Sequence, residues 1–512
     1  MHTLWLVIQR EFVSNVLTSR FMIGFIVCLL STAVAVFVQV DDYEKRLAGY
    51  NTAVREAEAE AQEWELYSKI KPKAHRKPNP LSIFNVGTEN FGANTVTVEL
   101  GKPIFELSFP IWSAPTQKRG SDNPFLAMFL TVDVVFIFKI VLSALAILFA
   151  YNAISGERED GTLKLVLSNS IPRDTIVFGK YLGGMFSLFP IVLMSLIVAL
   201  IIALSSPVTA FDGNAIAHIV LIFGISLLYV STWYLLGLLL SVWTKTAATT
   251  LILSMFIWVL LTSVHSNAVA FAVEKFPPYK SNPESGALQP AFEVWDQFKK
   301  ERDAYIEQRG YKDIGKSITW APEDGEPGRT RTGMGTSSES GGYYRIENYH
   351  ITNVAKADTS IFQEILGFQE KLRVEYANKA EEILNKPAEE RERNSKFADT
   401  LSRISFADTY DFAVGTVAGT DRRNYNDFIQ NARAYKREIV EYLTDREAFS
   451  SRAWFSNDQG DAELADLPVF EHRRLSLSES LSRASIDILI LLAWNILLFM
   501  VAYVSFLRYD LS

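Results

Sequence analysis

The chain has 512 residues, of which 49% are hydrophobic and 21% charged, with a formal net charge of -8. That mixture excludes both an ordinary soluble domain and a bundle lying wholly in lipid, so apolar and charged segments must alternate along one chain. The acidic balance argues against a nucleic-acid partner, and the single cysteine, Cys28, excludes an internal disulfide framework or a thiolate metal site.

Residues 4–19 are expected to form an amphipathic helix. At a period of 3.6, Trp5, Ile8, Phe12 and Val16 share one side, and Arg10, Glu11, Ser14 and Thr18 the other. Such a helix lies in the membrane interface and turns into the first span. Six apolar stretches reach the length of about 20 residues that a bilayer requires: 21–40, 125–151, 175–204, 215–243, 247–270 and 485–507. Ala33 and Ala35 resemble a signal cleavage site, but the apolar run continues past them, so the first stretch is read as an uncleaved span.

Beyond residue 40, Tyr43, Leu47, Tyr50, Val54, Ala57, Ala61 and Trp64 recur at 4-3 spacing, which predicts a helical stalk with a narrow apolar seam. The helices of the second insertion are expected to cover that seam. Pro72, Pro78 and Pro80 are expected to end the stalk. Residues 94–100 alternate as a strand does, with 104–109 as its expected partner. The second insertion opens on a proline-rich linker at 277–290 and holds a Gly/Ser/Glu-rich stretch at 323–342, read as a mobile loop. Ile361, Ile365, Phe368 and Leu372 predict one helix, and Phe428, Ala432, Tyr435, Ile439 and Tyr442 another.

The short connections carry Arg158, Lys164 and Arg173, with Lys180 just after them; Lys245 and Arg508 flank the later spans. The loop 205–214 has no Lys or Arg. By the charge rule for short loops, both termini and the 152–173 loop face the cytosol, and 41–124 and 271–484 lie outside. The expected fold is an all-α polytopic membrane protein of six transmembrane helices with an N-terminal interfacial helix. An α+β extracytoplasmic domain is built from two insertions. The boundaries are 1–40 for the interfacial helix and span one, 41–124 for the stalk insertion, 125–270 for spans two to five, 271–484 for the large insertion, and 485–512 for span six and the C-terminus.

No GxxxxGK[ST] loop is present: Lys180 follows Gly179 but precedes Tyr181. Nucleotide hydrolysis is therefore not expected of this chain. The scattered histidines suggest no metal site, and no catalytic residue is assigned. Asp133 and Lys139 fall inside the second apolar stretch, where a charge is costly and needs a partner. Six residues apart on a helix, they do not share a face, so they are candidates for a pathway lining or an interface, against the plainer reading of side chains that reach up to the membrane surface. Gly179 and Gly183 place small residues on one face of span three for close packing.

Between spans two and three the chain emerges for a few residues. Glu157, Arg158, Glu159 and Asp160 are followed by Thr162, Leu163, Val166 and Leu167 at helical spacing. An apolar face of that size beside such charge suits a groove on a cytosolic protein better than lipid headgroups. "SGEREDGTLKLVLSNSIPRDTIVFGKYLGG" resembles the loop between spans two and three of ABC-2 type transporter permeases. "VAGTDRRNYNDFIQNARAYKREIVEYL" and "AWNILLFMVAYVSFLRYDLS" resemble a subgroup with a large extracytoplasmic insertion before the last span.

The resemblance covers the six spans, and the outer domain only loosely. It implies a coupling helix in which Glu157, Arg158, Glu159, Gly161, Thr162 and Leu163 contact a separate ABC ATPase subunit that holds ATP and Mg; no cofactor is expected in this chain. It also implies a second permease copy or a related permease chain, and a bacterial cytoplasmic membrane. Membrane lipid and extracytoplasmic proteins complete the expected partners. The expected function is that of a permease subunit of an exporter, for which lipid-like or peptide cargo fits the sparse polar residues of the spans. The alternative is a mechanotransmitter or anchor that carries cytosolic ATP hydrolysis to outer partners without moving a substrate.

Overall fold

The computed structural model describes residues 2–89, 94–104, 132–168, 172–279, 284–309, 333–340, 345–353, 360–454 and 460–508. Helix α1 (His2–Val16) breaks at Leu17, and Thr18 caps α2 by accepting from Phe21 N at 3.3 Å. Helix α2 (Ser19–Gln62) then runs unbroken, at about 1.5 Å per residue roughly twice the thickness of a bilayer core. Span one and the stalk are thus one rod, as the uninterrupted pattern after residue 40 predicts. The rod ends at Gln62, before any of the three prolines.

The seam finds different partners from those expected. Tyr43 and Leu47 join the core of the bundle, beside Leu81 and Ile83. Tyr50 stands edge-on to His75. These partners come from the stalk's own insertion, while Trp64 packs, as expected, against helices of the second insertion around Phe428 and Tyr435. Arg46 fixes the base of the stalk: it donates to Asp42 at 2.7 Å and to Ser82 at 2.9 Å. Glu89 lies buried between Arg46 at 3.4 Å and Arg76 at 3.7 Å.

Strand β1 (Lys73–His75) pairs antiparallel with β2 (Thr95–Thr97), with Ala74 opposite Val96. The partner of the alternating stretch is therefore an upstream segment. Ile104 is not in a strand, and 105–109 lie outside the described residues.

Helix α3 (Val134–Glu159) starts later than the apolar run suggests, because Asp133 caps it: its carboxylate accepts from Phe136 N at 2.7 Å. The apolar run ahead of it lies outside the described residues up to 131. A π turn interrupts α3 at Phe138–Leu142. The loop helix α4 (Thr162–Ser168) follows, then α5 (Arg173–Ser205), which passes through Pro190. Helix α6 (Gly213–Trp243) is the central span, with Tyr229, Trp233 and Tyr234 fully enclosed. Helix α7 (Ala247–Lys275) carries a second π turn at Leu260–Val264.

In the second insertion, α8 (Glu284–Gln308) begins inside the stretch read as linker, with Pro290 in its second turn. Part of the expected loop is a strand: β3 (Gly333–Ser340) pairs antiparallel with β4 (Arg345–Asn353). Residues 323–332 and 341–342 lie outside the described residues. The two predicted helices are present as α9 (Ser360–Ser402) and α11 (Arg422–Asp445).

Between them lies an element that no periodicity above points to. Helix α10 (Phe406–Ala418) packs between α6 and α12 (Leu477–Leu507) and belongs to the same apolar core as the spans. Ser405 at its start donates to Leu261 O at 2.6 Å. Leu261 is about 14 residues along α7 from Ala247, roughly 21 Å of helix, so α10 begins deep in the bundle. Its far end knits the two insertions together: Asn79 Nδ2 donates to Ala418 O at 2.6 Å and Thr88 N to Thr420 O at 2.7 Å. Helix α12 starts ahead of its apolar run, on a Ser476–Glu479 capping box.

Candidate functional site

Two polar junctions with paired charges stand out in the described part of the apolar bundle. The first is at the end that carries the short loop. Lys180, near the start of α5 and almost wholly buried, meets Glu157 at 2.9 Å and Glu11 at 3.3 Å. One ammonium thus joins α1, the last turn of α3 and α5. Lys180 needs these carboxylates, since burying a charge without a partner is prohibitive. Tyr234 Oη donates to Lys180 O at 3.0 Å, tying in α6.

The neighbouring charges are engaged in the same way. Arg158 donates to Thr244 O and, at 3.0 Å, to Val242 O, at the end of α6. Glu159 accepts from Ala247 N at 3.1 Å, at the start of α7, where a carboxylate meets the unpaired amides and positive pole of a helix. Ser241 Oγ accepts from Ile154 N at 3.0 Å and Ser155 N at 2.9 Å. Gly161 takes a left-handed φ of 73° that a side chain would strain, and so turns the chain from α3 into α4. Thr162 Oγ1 donates back to Glu157 O, and Leu163 is buried. The structure therefore brings Glu157, Arg158, Glu159, Gly161, Thr162 and Leu163 together as a braced elbow. Asp160, Lys164 and Leu165 stand exposed, Leu165 at 68%. The Val166 and Leu167 side chains lie outside what is described.

Gly179 and Gly183 do bring helices into close contact, and the helix they admit is α1. A Cβ on Gly179 would meet Val7 Cγ1 at 2.6 Å, and one on Gly183 would meet Glu11 Cβ at 2.6 Å. This corrects the expected orientation of α1. Its inward side carries Ile8, Val7 and Glu11, the last counted as polar surface by period alone, whereas Trp5 is 61% exposed.

The second junction surrounds α10. Lys139, in the π turn of α3, pairs with Asp411. Asp408 accepts from Ser266 Oγ at 2.6 Å and faces His265 Nδ1 at 3.4 Å. Arg403 grips Asp487 of α12 through Nε at 2.5 Å and Nη2 at 3.4 Å. Tyr410 hydrogen-bonds Ser226 at 2.8 Å. Asp133 does not share this pairing; besides capping α3, it accepts from Val86 N at 2.8 Å. The partners that the sequence required for Lys139 and Asp133 thus come from the second and first insertions respectively. Sequence reasoning missed Glu11, Asp408 and Asp411. The signal for the last two was the apolar run 406–418 inside a polar insertion, a length that suits a buried or re-entrant helix.

Among the described residues, no group of three or more His, Cys, Asp or Glu is placed to hold a metal ion. No curated protein sequence matches the chain. The family model of the ABC-2 family transporter proteins matches residues 5–511, that is, all six spans and both insertions. The chain belongs to the ABC-2 family and is a transmembrane subunit of a transporter.

Proposed function

We propose that this chain is the permease subunit of an exporter, driven by a separate ABC ATPase that docks on the elbow formed by α4 and the end of α3. One observation carries the reading: the charges of the elbow are spent on bracing α1, α5, α6 and α7 against it. A push on the exposed Asp160, Lys164 and Leu165 would then move five helices together. The ATPase contact falls on these three residues, and Glu157, Arg158 and Glu159 transmit it from behind. ATP and Mg belong to that partner, and a second copy or a related chain completes the complex. On this reading both termini lie in the cytosol of a bacterial cell and the insertions outside its cytoplasmic membrane.

The test is co-purification of the chain with its ATPase. Leu165→Glu should lower recovery of the ATPase about tenfold with the melting temperature of the chain unchanged. Full recovery would remove the docking site from the elbow.

A second reading, mechanical work on outer partners, is favoured by α10, which ties the outer mass into the bundle. The bundle is also tightly filled beside Phe84, Phe138 and Phe223, where a cavity of about 10 Å³ has room for about one water.

A further inference from the structure

Two spans leave α-helical register, and both do so facing α10. In α3 the Ser143 amide reaches back five residues to Phe138 O and passes over Lys139 O. In α7 the His265 amide reaches back five residues to Leu260 O and passes over Leu261 O. A π turn holds one more residue than the α turn it replaces. The carbonyl it bypasses needs another donor where water does not reach.

Both carbonyls find a side-chain donor. Lys139 O accepts from Tyr229 Oη at 2.9 Å and from the Ser143 hydroxyl. Leu261 O accepts from Ser405 Oγ at 2.6 Å. Ser405 is the cap of α10, and Tyr229 lies flat against Tyr410 of α10 with ring centroids 4.3 Å apart. The same helix supplies Asp411 to Lys139 and Asp408 to His265 and Ser266, the residues within and just after the two π turns.

We propose that the two π turns form a register switch set by the seating of α10. With Ser405, Tyr410 and Asp411 in place, both turns hold their extra residue. When α10 withdraws, Leu261 O loses its donor Ser405, and Tyr229, a donor to Lys139 O, loses the Tyr410 ring that holds it in place. Each turn then closes to α. Closure of one turn carries the helix beyond it through about 100° and about 1.5 Å. Helix α3 reaches the elbow through a turn at 151–154, and α7 begins at the amide bound by Glu159. The outer insertion and the elbow are thereby linked through two backbones, and the linkage runs in both directions.

The test uses the full chain in lipid nanodiscs without any ATPase, so its outcome is separate from that of the docking experiment. Spin labels replace Ile252 and Phe271, which are exposed on either side of the α7 turn. Ser405→Ala should add a second distance population, displaced by several ångströms, as expected for a side chain carried about 100° around a helix about 10 Å wide. Ser405→Thr, which keeps the hydroxyl, should restore the single distance. A lower melting temperature with one unchanged distance would make Ser405 a cap and nothing more, and would overturn the switch.

Should Ser405→Ala not fold, Tyr229→Phe combined with Ser143→Ala tests the α3 turn with labels at Phe136 and Asn152, since together they remove both side-chain donors to Lys139 O and keep the ring. A second population supports the proposal, and a single unchanged distance overturns it.

Discussion

Tyr410 lies stacked on Tyr229, with ring centroids 4.3 Å apart and planes 9° from parallel. The contact joins a helix of the second insertion to the central span, although nearly two hundred residues separate the two in sequence. Phe406 extends it, standing edge-on to Trp233 at 5.3 Å and Trp494 at 5.0 Å. The second insertion of this protein is therefore packed into its membrane part.

Tyr410→Ala should destabilise the chain by roughly 3 kcal/mol, the low end of the cost of truncating an enclosed aromatic. Tyr410→Phe keeps the stack and loses the hydrogen bond to Ser226, which in a membrane protein costs about 0.6 kcal/mol. Unfolding in graded denaturing detergent measures both; equal losses would place the energy in the hydroxyl and not in the ring.

Lys139→Met should cost about 1–3 kcal/mol, because it leaves Asp411, whose side chain is only partly buried, without its counter-charge. Adding Asp411→Asn should return most of that loss. A double-mutant cycle reads the coupling, and additive effects would show that the pair does not act as one unit.

Gly183→Leu should displace α1 from α5, since even a methyl at that position meets Glu11 Cβ at 2.6 Å. Tryptic cleavage after Arg10 should rise several-fold. Gly183→Ala, whose methyl forces a smaller shift of α1, should cost about 1–3 kcal/mol and raise cleavage less than the leucine variant. Unchanged cleavage in the leucine variant would mean that α1 is held by lipid alone.

His472 gives the second insertion a pH dependence. Burial, and then Arg76, hold its imidazole below histidine's ordinary value of 6.5, while Arg474 adds to the effect and Glu89 and Asp427 oppose it. The unfolded chain therefore takes up a proton before the folded chain does. The stabilisation is fully present above pH 6.5 and is lost as pH falls from there toward the folded value. His75, lowered by burial and by Lys73, acts in the same direction. Melting temperatures between about pH 7.5 and about pH 5.5 should fall, and His472→Gln should flatten the slope. An unaltered slope would assign the pH dependence to other groups.

The spans and the long rod of α2 were legible in sequence because each is a local property. About 20 apolar residues have no other stable form in lipid than a helix, and a 4-3 seam continuing past residue 40 leaves no place for a break. Gly179 and Gly183 announced a close contact, yet nothing in their spacing named α1 as the partner. Glu11 and Lys180 looked like surface charges for the same reason. Period assigns a residue to a face, and only packing decides what that face meets. The two π turns, the seating of α10 and the bracing of the elbow came from the tertiary structure alone. Each depends on a donor and an acceptor brought together from segments far apart, and hydrophobic pattern carries no record of which distant polar atom will satisfy a buried one.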